Sequence, residues 1–125
     1  MSFEVKIVES DEEFEALSLL RTRVFVEEQG VPSALEKDEF DDRAVHSVVY
    51  LAGTLIATGR LVLDTTTNGR IGRMAVESSY RRTGIGSLVL TFLENEARSL
   101  KLTTLNLNAQ YHVRGFYAKH GYQEC

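Results

Sequence analysis

The sequence predicts an α/β fold of the α+β kind, a largely antiparallel sheet flanked by helices. Three observations carry this. A capping signal opens an apolar stripe of helical spacing near the N-terminus, three strand-like runs follow one another in the middle, and a long stretch without Gly or Pro follows a glycine pair. The element order they give is β-α-β-β-β-α-β-α.

Val5 to Val8 reads as a short strand. Ser10-Asp11-Glu12-Glu13 then fits a capping box, in which the Ser10 hydroxyl accepts from the Glu13 N–H while the Glu13 carboxylate reaches back. Phe14, Leu17, Leu20 and Val24 recur at helical spacing and predict one buried stripe on a helix running to Arg23 or beyond. Between Glu27 and Arg43 the pattern gives way to Gly30, Pro32 and the acids Glu36, Asp38, Glu39, Asp41 and Asp42. A surface loop or short helix with a solvated charge run is expected there. Ala44 to Leu51 and Thr54 to Leu63 are strands joined by an Ala52-Gly53 hairpin, and Asn68-Gly69 signals a turn before a third strand, Arg70 to Val76. Ser87 to Leu100 is helical, with Leu88, Phe92, Leu93 and Ala97 near one face. Thr103 to Asn108 alternates as a strand does, and Val113 to His120 is a final helix closed by Gly121.

With 125 residues, 43% of them hydrophobic and 26% charged, the chain reads as a single globular domain, residues 1–125. A net charge of −4 disfavours sequence-independent nucleic-acid binding, which draws its affinity from basic groups on phosphates. The lone cysteine, Cys125, excludes an internal disulfide and is consistent with a reducing, cytoplasmic setting. No run of eighteen apolar residues predicts a membrane span.

The chemistry concentrates between Arg70 and Gly86, where a strand runs through Glu77-Ser78-Ser79-Tyr80 into Arg81-Arg82-Thr83-Gly84-Ile85-Gly86 at the start of a helix. Glycines let a backbone approach a phosphate, the first-turn N–H groups and the helix dipole favour negative charge, and Arg81 and Arg82 add cations. A purely structural turn fits the same residues. No Gly-Lys-Ser/Thr follows, as a P-loop requires, and no third glycine completes a dinucleotide fingerprint.

The segment resembles motif A of the GNAT superfamily of N-acetyltransferases, whose Gln/Arg-x-x-Gly-x-Gly/Ala signature is met by Arg81, Gly84 and Gly86. Gly72 to Val76 resembles that family's central strand. Ala109-Gln110 and Phe116 to Tyr122 resemble its Phe-Tyr-x-x-x-Gly-Phe element. Arg23 to Pro32, followed by Glu36, Asp38, Asp41 and His46, is similar to the small bacterial ElaA-like branch. The resemblance implies a GNAT-type mixed sheet and acetyl-CoA as cosubstrate, with no metal. The backbone of Met74, Ala75 and Val76 would then lie along pantetheine. Arg81, Arg82, Thr83, Gly84, Ile85, Gly86 and Ser87 would hold the pyrophosphate, with a further contact from Gln110.

The resemblance further implies that a primary amine, on a small molecule or peptide, attacks the acetyl carbonyl directly in a ternary complex. Tyr117 would be the acid for the departing thiolate, its phenol staying protonated near neutrality with a reference pKa of about 10. Packed aromatic is the bland alternative for Tyr117. Glu28, Glu36, Asp38 and His46 are candidates for the base; Glu28 and His46 are also candidates for substrate binding, although a satisfied structural histidine is the default reading of His46. The family pattern continues past the Gly-Tyr corner with two further strands of roughly 12 to 18 residues, whereas only Tyr122 to Cys125 follow here. An open sheet edge invites pairing, so a homodimer through that edge is expected. A catalytically impaired acyl-CoA sensor or partner-binding module is the alternative function, and a small structural or nucleic-acid-binding domain is the more remote one.

Overall fold

The computed structural model describes residues 3–31, 41, 44–81 and 83–107. Five strands form one sheet in the order β1 (Phe3–Ile7), β2 (Val45–Leu51), β3 (Thr54–Leu63), β4 (Asn68–Val76) and β5 (Thr104–Leu107). The first four pair antiparallel and β5 pairs parallel to β4, so the sheet is mixed and mostly antiparallel. The one parallel step follows from its connection, since a parallel neighbour needs a crossover and α2 (Ile85–Ser99) supplies it. The final helix expected over residues 113–120 lies outside the described residues.

The β2–β3 hairpin closes through Ala52 at φ +51° and Gly53 at φ +83°, both left-handed as a two-residue type I′ turn requires. Asn68-Gly69 is not a turn. Both residues belong to β4, and the reversal is made by residues 64–67, where the Thr65 hydroxyl accepts from the N–H groups of Thr67 and Asn68. Gly69 answers a packing need instead: a Cβ there would stand 2.8 Å from Leu102 Cδ1 and 3.1 Å from Leu61 Cδ1.

Helix α1 (Asp11–Arg21) starts as its capping signal dictates, with the Ser10 hydroxyl accepting from the Glu13 N–H at 3.2 Å. The Glu13 carboxylate reaches the Glu9 N–H at 2.9 Å rather than that of Ser10. At Thr22 the helix widens into a π-helix, Thr22–Glu28. The Thr22 hydroxyl donates to the Ser18 carbonyl at 2.9 Å, a bond that bends helices, and β-branched Thr22, Val24 and Val26 crowd a tight turn. Gly30, at φ +75°, ends it, with the Val31 N–H donating to the Phe25 carbonyl at 2.8 Å.

Neighbouring β3 residues separate the two layers. Gly59 faces α2, where Val49, Ala57, Leu61 and Ile71 pack against Ile85, Val89, Leu90, Leu93 and Ala97. On the opposite face Leu20 and Val24 pack against Ala75. The buried stripe of the first helix is thus the expected one. On α2 the buried face is rotated from expectation: Leu88 is exposed, and Ile85, Val89, Leu93 and Ala97 line the core at four-residue spacing.

The solvated acidic run expected over residues 36–42 is corrected at Asp41, which is 2% exposed. Its carboxylate accepts both Arg21 Nη1 at 2.9 Å and Arg21 Nη2 at 3.2 Å, and Arg60 Nη1 adds a third bond at 3.0 Å. Arg21 and Arg60 are themselves buried. A carboxylate can be withdrawn from water when cations and hydrogen bonds replace the lost hydration, and here two guanidiniums do so.

Candidate active site

The site begins at a fault in β4. Opposite Thr58 and Arg60 of β3 stand Ala75 and Gly72, so β4 carries one residue more than β3 at Gly59. That extra residue is a β-bulge, and Arg73 takes it up at φ +51°. A non-glycine residue in the left-handed region is strained, and such strain gathers where a strand must be re-aimed. Gly59 is required at the same point, because a Cβ there would stand 2.6 Å from Val89 Cγ1 and 3.0 Å from Leu93 Cδ1. The bulge and the close approach of α2 therefore set the course of Met74, Ala75 and Val76. Among the described residues the β4–β5 ladder pairs Asn68 to Ile71 with Thr104 to Leu107. Ala75 is buried against Leu20 and Val24, whereas Met74 and Val76 are half-buried on the α2 side.

From Val76 the chain passes Glu77 and a 3-10 turn, Ser78–Tyr80, to Arg81. Thr83 donates its hydroxyl to the Tyr80 carbonyl, tightening this connection. Gly84 then turns the chain into α2 at φ +88°. An added Cβ at Gly84 would meet nothing within 4 Å, so glycine is needed there for its backbone angle, and the space above the turn is open among the described residues. The helical ladder starts with the Leu88 N–H on the Gly84 carbonyl at 3.1 Å; the Ile85 and Gly86 N–H groups precede it, and Gly84 has no side chain to cap them. Those donors and the helix dipole favour an anion. Ser87 completes the first turn, with its side chain half-buried.

Arg81 precedes Gly84 by three residues. Its Nε donates to the Val76 carbonyl at 3.0 Å, and its Nη1 pairs with Glu28 Oε1 at 2.8 Å, both side chains being about 40% exposed. A second ion pair joins the same two elements, Arg23 Nε donating to Glu77 Oε1 at 2.8 Å. The π-helix is thus fastened to the β4–α2 connection at both of its ends. Arg81 and Glu28 are thereby brought together at the end of β4. Arg82, Gln110 and Tyr117, as well as Glu36 and Asp38, lie outside the described residues.

His46 is placed elsewhere. It is 5% exposed on β2, packs edge-on against Phe14 at 5.1 Å, and its Nε2–H donates to the Asp41 carbonyl at 2.8 Å. Because a carbonyl only accepts, Nε2 carries the proton. Burial pushes its pKa below the ordinary imidazole value. The hydrogen bond to Asp41 and the Asp41 charge oppose that shift, and the Arg21 and Arg60 charges add to it. His46 is thus buried and hydrogen-bonded in the packing, as the structural reading of this histidine expects.

Sequence reasoning missed the Arg21–Asp41–Arg60 cluster and the Arg23–Glu77 pair. A signal existed for Arg21, which lies four residues from Leu17 and three from Val24, on the apolar stripe itself. None existed for Asp41 within a run of acids. The groove of about 340 Å³ lined by Glu4, Lys6, Glu13, Tyr50, Ala52 and Gly53 sits on β1, β2 and the start of α1, two strands away from β4, and has no part in this arrangement. Among the described residues no group of three His, Cys, Asp or Glu side chains could hold a metal ion, and no helix is long and apolar enough to cross a membrane.

A mostly antiparallel mixed sheet with a bulged strand leading through a left-handed glycine into a helix is the architecture of the GNAT acyltransferases. The comparisons agree: a profile of the acetyltransferase (GNAT) family matches residues 11–122, and the chain belongs to that family. It is 33% identical over 117 residues to a Bacillus subtilis (strain 168) protein named uncharacterized N-acetyltransferase YjcF, covering 94% of this chain and 83% of that one. It is also similar to the crystal structure of an acyl-CoA N-acyltransferase from Pseudomonas aeruginosa, with a TM-score of 0.88 and 29% identity over 99% of this chain and 90% of that chain. The fold is shared with Escherichia coli ElaA, with a TM-score of 0.86 and 24% identity over 99% and 94% of the two chains.

Proposed function

We propose that this protein is an acetyl-CoA-dependent N-acetyltransferase that acetylates a primary amine of a small molecule or peptide. The observation that carries the reading is the Gly84 turn, where open space and the N–H groups opening α2 follow a bulged strand, with Arg81 three residues before the turn and bonded to the Val76 carbonyl. These residues suit a pyrophosphate, because the donors are backbone groups fixed before a ligand arrives. The name of the P. aeruginosa structure, an acyl-CoA N-acyltransferase, supports the same ligand class.

Acetyl-CoA supplies an acetyl group activated as a thioester. Ile85, Gly86 and Arg81 hold its diphosphate, and the backbone from Met74 to Val76 aligns its pantetheine arm. The nitrogen lone pair of the amine forms the new C–N bond as the C–S bond breaks. The nitrogen gives up a proton to a neighbouring carboxylate or water, the thiolate takes one from the Tyr117 hydroxyl, and solvent returns a proton to the phenolate. No enzyme nucleophile takes part.

Release of thiol from acetyl-CoA across a panel of amines tests the reading. Turnover with at least one amine, lost on Tyr117→Phe by about a hundredfold or more, is the expected result. Turnover of the Tyr117→Phe chain within twofold of wild type rejects the acid assignment. Coenzyme binding by calorimetry with no thiol release for any amine would make the chain an acyl-CoA-binding module instead.

A further inference from the structure

Strand β1 closes one side of the sheet, and among the described residues it is bonded to β2 alone. Its hydrogen-bonding phase follows from one contact. The Val8 N–H donates to the His46 carbonyl at 2.9 Å, continuing the register that pairs Phe3 with Leu51 and Ile7 with Ser47. Bonded and non-bonded pairs alternate along an antiparallel ladder. Glu4, Lys6 and Val8 therefore bond to β2, while the N–H and C=O groups of Phe3, Val5 and Ile7 point outward. The side chains alternate as well. Val5 packs into the α2 layer and Phe3 and Ile7 share its face, whereas Lys6 turns to the other layer and pairs with Glu13 Oε2 of α1 at 3.1 Å. Helix α2 lies over β2, β3 and β4, which leaves Phe3 38% exposed.

We propose that the outer edge of β1 is a self-recognition surface, on which a second copy of this chain adds its own β1 antiparallel about a twofold axis at Val5. Across this edge only odd-numbered residues can bond to odd-numbered residues, so few registers are open. Centred on Glu4, the strands would set Glu4 against the partner's Glu4; centred on Lys6, they would set Lys6 against the partner's Lys6. Centred on Val5, they oppose Glu4 to the partner's Lys6, twice over. These are non-hydrogen-bonded pairs, whose Cα atoms approach to about 4.5 Å and bring the side chains close. The Lys6 ammonium has three N–H donors, so it keeps Glu13 while receiving the partner's Glu4. On the α2 face Phe3 meets the partner's Ile7 and Val5 meets the partner's Val5, which covers the exposed apolar edge. A lysine in an edge strand ordinarily repels a further strand, and Glu4, two residues before it, lifts that barrier for this one partner. The surface lies on the opposite side of the sheet from the C-terminal edge at which the sequence predicts pairing.

Light scattering of the full chain at ~100 μM in low salt is expected to give a dimeric mass. Glu4→Lys and Lys6→Glu each set like charges against one another and raise the dimer dissociation constant by about tenfold or more. An equimolar mixture of these two chains restores the dimer, because every charge then faces its opposite. Glu4→Lys leaves the Lys6–Glu13 pair in place, so its monomer should unfold at the wild-type urea midpoint. Amide exchange locates the contact: Phe3, Val5 and Ile7 gain protection as the concentration rises, and Lys6, already bonded to β2, does not. A monomeric mass for the wild type overturns the proposal, as do a dimer that survives Glu4→Lys and a mixture that stays monomeric.

Discussion

Asp41 bears two buried guanidiniums on one carboxylate, and its removal leaves both cations without that anion in the interior. Asp41→Asn keeps the shape and deletes the charge. By the usual cost of breaking a buried pair it should destabilise the fold by about 3–5 kcal/mol, read from the midpoint of urea unfolding. A loss below about 1 kcal/mol would mean that Arg21 and Arg60 are held by other groups. His46 makes a separate, pH-dependent contribution. Its folded pKa lies below the unfolded value of about 6.5, so in moderately acidic solution the unfolded chain binds the proton more readily. Stability is therefore intact above about pH 6.5 and declines as the pH falls from there toward the lower folded pKa. Unfolding midpoints between pH 7.5 and 5.5 should fall for the wild type and change less for His46→Gln, and equal slopes would reject the assignment. Gly84 adds a backbone effect. Gly84→Ala should cost about 1–2 kcal/mol although its Cβ clashes with nothing, because φ +88° penalises any side chain. Unchanged stability would show that the turn relaxes.

At the scale of elements, Gly59 is where β3, the β4 bulge and α2 meet. Gly59→Ala puts a methyl 2.6 Å from Val89 Cγ1, and Val89 is stiff at χ1, so α2 must move off the sheet. The expected cost is about 1–3 kcal/mol together with weaker coenzyme binding, since α2 carries the Ile85 and Gly86 donors. Coenzyme affinity equal to wild type would separate the bulge from the site. The elements themselves were legible where one period dominates. Phe14, Leu17, Leu20 and Val24 marked α1, and the Val- and Leu-rich runs marked β2 and β3. Asn68-Gly69 misled because the same dipeptide that suits a turn also suits a strand residue packed against Leu102 and Leu61. The π-helix was invisible, since widening a helix by one residue per turn leaves its apolar stripe nearly intact. The Gly84 turn was readable because its chemistry lies in consecutive residues. Glu28 and Arg81 are 53 positions apart, so only the fold brings their charges together.

Across the whole molecule, the sheet divides two tasks. One face packs α2 and fixes the direction of its N-terminus, while the other packs α1, whose π-helical extension reaches the β4–α2 connection through Arg23 and Glu28. The Arg21–Asp41–Arg60 cluster ties that second layer to β3 from within. Both layers thus converge on one end of β4, beside the proposed coenzyme site. Titration of the isotopically labelled protein with coenzyme A, followed through its backbone amide spectrum, tests this most directly. The largest shifts are expected on residues 83–87 and on Met74 to Val76. Shifts centred on Lys6, Glu13 and Tyr50, or none at millimolar coenzyme A, would contradict it.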